Sequence, residues 1–348
     1  MDLTYSGTYG TLKSKATEFL SLDRIRSIVD ADQDSMLSLL SQHAYASDIS
    51  ALSGKYRGYD LLEMVVNRRL ANRNYMVLST CPGQVRDFVQ FYLSKWDVEN
   101  VKTIIAAKTV GYDVSISDPF IVSFRDIPMA MFGGIIPYEI YRSLTQTGGI
   151  EQIVESIAQY FSGKMFLAQL EIYKKHKDLS MFFSAVDNYF YSQIVGYLKF
   201  YRGDEWIVRN YFTDLISLRN MEIVIKGKAL GLDYNMVRSA IPSTAGIGDD
   251  RLMQIFNAGF EDFAQLVSAS FSVNLPQDAE TPTEAAIAIY YGMTERYLAQ
   301  MASATSSLNY IMWYLLRSEI ERMRLKGIVN GKRYGLDRKT VLALTGMI

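Results

Sequence analysis

A chain of 348 residues that is 49% hydrophobic and 21% charged is long enough for two or three globular domains. Its 36 basic and 37 acidic side chains nearly cancel, which excludes a general attraction to nucleic acid and leaves only a local basic patch to provide one. The single cysteine, Cys81, excludes an intramolecular disulfide framework and suits a reducing compartment.

In chain order, the opening stretch "MDLTYSGTYGTLKSKATEF" lacks the basic and apolar regions of a signal peptide. Residues 60–78, "DLLEMVVNRRLANRNYMVL", place Leu61, Met64, Val65, Leu70 and Val77 largely on one helical stripe. "WDVENVKTIIAAKTVGYD", ending at Asp113, predicts an amphipathic helix with a clean stop. "IPMAMFGGIIPYEIY" (127–141) is the longest apolar stretch, but Pro128, Gly133, Gly134 and Pro137 break it. It falls short of the roughly 18 apolar residues that a membrane-spanning helix needs. The runs 187–230 and 283–329 again carry helical spacing, and the stretches 241–250 and 272–284 are turn-rich. No segment alternates with period two over several strands, so the chain is expected to be all-α.

The helix stop recurs. "SLRNMEIVIKGKALGLD" ends at Asp233 and "EIERMRLKGIVNGKRYGLD" at Asp337. The first two copies align Asn100, Lys108 and Gly111 with Asn220, Lys228 and Gly231; the third has Arg324, Lys332 and Gly335. Upstream, Tyr45, Tyr160 and Phe271 precede the Asn or Arg position by 55, 60 and 53 residues, and helix starts at Leu22, Ile136 and Ile247 lie earlier still. Three landmarks in one order predict three homologous modules, 1–117, 118–235 and 236–348.

At about 100° per residue, positions one, four and five after the Asn form one apolar face. They are Val101, Ile104 and Ile105, then Met221, Val224 and Ile225, then Leu325, Ile328 and Val329. The Asn sits at an edge of that face, where its amide is expected to bond a neighbouring helix or turn. The lysines fall in the last turn, where a cation complements the helix dipole and can bond free carbonyls, and the glycines suit a left-handed closing residue. This is chiefly a code for how the chain turns.

Chemistry-bearing patterns are missing. His43 and His176 do not fall into a metal-ligand spacing with Cys81, so no metal is expected. The pairs Gly163-Lys164, Gly227-Lys228 and Gly331-Lys332 continue with Met, Ala and Arg, not with the Ser or Thr of a phosphate-binding loop. No nucleophile elbow is present, and neither a catalytic residue nor a cofactor is predicted.

"LLSQHAYASDI" (39–49), "DLLEMVVNRRLANRNY" (60–75), "CPGQVRDFVQFYLSKWDVENVKTIIAAKTVG" (81–111) and "LRNMEIVIKGKALGL" (218–232) together resemble the central-stalk C subunit of archaeal A-type ATP synthases. The d subunit is its counterpart in vacuolar (V-type) ATPases. The similarity runs from Tyr5 to the end of the chain. Arg324 stands where family members usually carry Asn, and Ala106 and Ala107 stand where an Arg is common.

The resemblance implies three pseudo-threefold helical modules forming a funnel, without catalysis. It implies a coupling at the cytoplasmic face of the membrane, peripheral, between shaft subunits of D and F type and a proteolipid ring, with no membrane span of its own. Met129, Met131, Phe132 and Ile135 are candidates for docking on the ring, or they form a buried connection between modules. A helical-repeat adaptor holding a peptide or helix in a concave face is the alternative of a different class.

Overall fold

The computed structural model describes residues 6–111, 123–124, 127–128, 136–199, 206–239, 241, 246–274, 281–304 and 307–347. Their regular structure is helical, apart from one antiparallel ladder of two residues a side, Ser123–Phe124 with Ile127–Pro128. Packing divides the described residues into two compact units. Within the first, Asn67–Ile194, the element that carries the first motif copy is α7 (Lys95–Thr109). It is joined there by α8 (Tyr138–Gln146), α9 (Ile150–Ile157), α10 (Phe161–His176) and most of α11 (Leu179–Leu198). Val101, Ile104 and Ile105 are fully buried, with Phe88, Phe166 and Phe182 in the same core.

The second unit combines Thr4–Val66 with the chain from Val195 onward. It holds α2 (Leu22–Asp30), α3 (Gln33–Ser41), α12 (Trp206–Ala229), α13 (Tyr234–Ser239) and α14 (Asp249–Asn257). Three further helices complete it: α16 (Pro282–Ser303), α17 (Leu308–Arg333) and α18 (Arg338–Leu344). Its helix starts follow local rules. Ser21 and Asp32 cap α2 and α3 through the N–H groups of Arg24 and Ser35, and Thr281 with Glu284 forms a reciprocal capping box on α16.

Neither unit coincides with one of the modules expected from the landmarks. The reason lies in α17, which packs on α2 and α18 as well as on α16, so the opening helices of the chain share a core with its last long helix. The backbone N–H of Leu20 and the hydroxyl of Tyr45 both donate to the buried carboxylate of Glu321, at 2.7 and 2.6 Å.

Candidate functional site

The three motif copies lie at the ends of α7, α12 and α17, each closed by a glycine in the left-handed region: Gly111 (φ 75°), Gly231 (φ 70°) and Gly335 (φ 67°). In the second copy Gly231 N–H reaches Lys228 O and Leu232 N–H reaches Gly227 O; in the third, Gly335 reaches Lys332 O and Leu336 reaches Gly331 O. This paired pattern satisfies carbonyls that a helix end otherwise leaves open. Asp337 then caps α18 by accepting from Thr340 N–H at 3.0 Å, and Asp233 accepts from the N–H groups of Asn235 and Met236 ahead of α13. Its cap hydrogen bonds hold the Asp337 carboxyl below the usual range.

A glycine preceding the lysine carries a second role, which the sequence alone did not reveal. A Cβ on Gly227 would lie 2.3 Å from Val237 Cγ2, and one on Gly331 would lie 2.5 Å from Val341 Cγ2. The short helix after each stop therefore folds back onto a bare patch of the helix before it. In the first copy Ala107 occupies the corresponding position.

The lysines do more than complement their own helix ends. Lys108 Nζ donates to Thr147 O, the carbonyl closing α8, and Lys228 Nζ donates to Ala258 O, the carbonyl closing α14. Each of these two lysines thus caps a helix that follows it in the chain. The carboxyl of Asp30 is lowered chiefly by its hydrogen bond with Arg338, and that of Asp32 chiefly by the Ser35 N–H, with the charge of Lys332 adding to both. Two positions after the Asn or Arg, Lys102 pairs with Asp187 of α11 at 2.9 Å and Lys326 with Glu63 at 3.2 Å, while Glu222 is half-buried.

The Asn position behaves differently in each copy. Asn100 hydrogen-bonds the hydroxyl of Tyr141, which also donates to buried Asp97 at 2.6 Å; burial, with the neighbouring carboxylate, raises the Tyr141 pKa well above its ordinary value. Asn220 is 1% exposed, inside the face and not at its edge, and its Oδ1 finds no partner among the described residues. The fourth residue of α14, which corresponds to Tyr141 of α8, is Leu252, and the position of Asp97 is held by Ser217. Arg324 in the third copy donates through Nε to Thr345 O (3.2 Å) and through Nη1 to Glu295 (2.8 Å).

These contacts split the expectation that both asparagines are bonded. Asn100→Ala should cost about 1 kcal/mol by leaving the Tyr141 network short of a donor, whereas Asn220→Leu should be neutral or stabilising by up to about 1 kcal/mol. Urea midpoints at unchanged slope measure both.

The residue just before each closing glycine is apolar or aromatic and largely exposed: Val110 67%, Leu230 75% and Tyr334 72%. Met129, Met131, Phe132 and Ile135 lie outside the described residues. Ile136, next to them, is fully buried, and Pro137 occupies the N-cap of α8. Among the described residues there is no group of His, Cys, Asp and Glu able to hold a metal, and no helix is long and apolar enough to cross a membrane. Cys81 is buried, and burial pushes its pKa up to about 12.

The repeated features are helix ends, cross-helix caps and exposed apolar tips, which define a helical assembly subunit. A family model described as ATP synthase (C/AC39) subunit matches residues 9–344, and the chain belongs to that family, whose members are non-catalytic subunits of rotary ATP synthases. It is 34% identical to the A-type ATP synthase C subunit of Thermoplasma acidophilum over 99% of this chain and 98% of that protein. Identity to the Thermoplasma volcanium protein of the same name is 31% over the full length of both. Identity to that of Methanocaldococcus jannaschii is 20% over 98% of this chain and 86% of that one.

Proposed function

We propose that the chain is the central-stalk socket of an A-type ATP synthase, joining D- and F-type shaft subunits to the proteolipid ring. In this reading it lies peripherally on the cytoplasmic face and is built of three modules, 1–117, 118–235 and 236–348. The observation that carries it is the recurrent cap: Lys108 and Lys228 each close the first helix of the next repeat. Helix ends tied across repeats give a stiff body, which a joint under torque requires. The exposed tips Val110, Leu230 and Tyr334 offer apolar surface for the broad contact that a permanent joint needs.

Purified chain should retain both the shaft subunits and the detergent-solubilised proteolipid ring in a pull-down. Retention of neither would overturn the reading in favour of an adaptor for some other helix. Met131→Glu with Phe132→Glu then assigns the segment at 127–141. Loss of the ring from a folded protein makes it a docking loop, and unfolding makes it a buried connection.

A further inference from the structure

The second unit contains a cavity of about 500 Å³ among α2, α16, α17 and α18, within the size range of small-molecule sites. Leu22, Ala288, Ala343 and Met347 give it apolar wall. Its charged wall is formed by Arg26, Arg317, Arg324, Glu284 and Glu295.

The hydrogen bonds of this wall leave guanidinium donors unengaged. Glu295 alone serves two guanidiniums, Arg324 at 2.8 Å and Arg317 at 3.4 Å. Glu284 spends one carboxylate oxygen on the Thr281 N–H of its capping box, and Arg26 faces outward to Asp23 at 3.7 Å. The Arg324 side chain is only 4% exposed, yet its bonds engage Nε and Nη1, leaving Nη2 with no partner among the described residues. Arg317 donates through both Nη atoms, the second to Leu20 O, and its Nε is likewise unengaged. The Tyr291 ring lies 5.0 Å from the Arg324 guanidinium, and its hydroxyl is also unbonded among the described residues; burial pushes its pKa up to about 12. A guanidinium that opens an unused donor pair into a cavity can offer it to an anion there. The other two motif copies carry Asn where this one carries Arg, so the feature belongs to this repeat alone.

We propose that this cavity binds a small organic carboxylate, held by Arg324 and Arg317, with its apolar body against Leu22, Ala288 and Met347. A carboxylate matches the planar fork of a guanidinium, and the apolar wall favours a carbon chain over a bare phosphate. The site is independent of the coupling role.

Calorimetry on the full chain with hexanoate as probe tests it, with hexan-1-ol, hexylamine and inorganic phosphate alongside. Hexanoate should bind, and the three comparators should bind far more weakly. Arg324→Gln should weaken hexanoate about 10-fold or more through loss of a charge-assisted pair. Ala288→Leu, which crowds the apolar wall where the carbon chain would lie and leaves both arginines in place, should abolish binding. If Arg324→Gln does not fold, Arg324→Lys, which keeps the charge and loses the fork, takes its place. Absence of hexanoate binding, equal binding of phosphate, or binding that survives Ala288→Leu would each overturn the proposal.

Discussion

Gly163→Ala is expected to lower stability by about 3 kcal/mol or more, at or beyond the upper end of the overpacking range. Gly163 is buried in the first turn of α10, and a Cβ built there lies 1.7 Å from Ile157 O and 2.3 Å from Ile157 C. Those are backbone atoms of the residue that ends α9, so no rotamer change relieves the clash. The corner Ala158–Tyr160 must open, and it is pinned by Tyr160 N–H on Ile157 O and Lys164 N–H on Tyr160 O. Gly196 provides the control. It is helical within α11 with nothing within 4 Å of its Cβ position, so Gly196→Ala should stabilise by about 0.5–1 kcal/mol through the unfolded chain. Opposite shifts in urea midpoint for the same chemical change would establish close backbone approach as the cause. Equal shifts would refute it.

Glu321→Ala should cost about 3–5 kcal/mol, because it strands two buried donors of about 1–3 kcal/mol each. Glu321 is 1% exposed, Leu20 2% and Tyr45 1%, so water cannot replace the lost carboxylate. Tyr45→Phe removes one donor together with its demand, and a double-mutant cycle should return a coupling of about 1–3 kcal/mol between the two positions. Additive effects would mean that the carboxylate is satisfied elsewhere and that the Tyr45 contact contributes little.

How much of this was legible in the sequence differs by residue. The closing glycines, the apolar faces of α7, α12 and α17, and the capping aspartates follow from local rules, because each needs only residues within one or two turns. Family membership was legible too, since its segments keep their order along the whole chain. The roles of Asn100, Asn220 and Arg324 were not, because each depends on a residue from a distant helix: Tyr141, Leu252 and Glu295. Asp97 and Glu321 occupy the same place, three residues before the Asn or Arg, and that acidic spacing was the available signal for them. The lysines lie in the last turns of their helices, but which helix end they serve is a matter of packing. Sequence periodicity carries no information about it.

The bond from Leu20 to Glu321 spans 301 positions, and that from Arg338 to Asp30 spans 308. During synthesis, therefore, helix α2 leaves the ribosome without the surface it buries, and that surface arrives only with α17 and α18. Residues Asn67–Ile194 have their core partners close at hand and can consolidate first, whereas the second unit must wait for nearly the whole chain. Helix α2, with Ile25, Ile28 and Val29 still uncovered, is the natural client of a chaperone on the nascent chain.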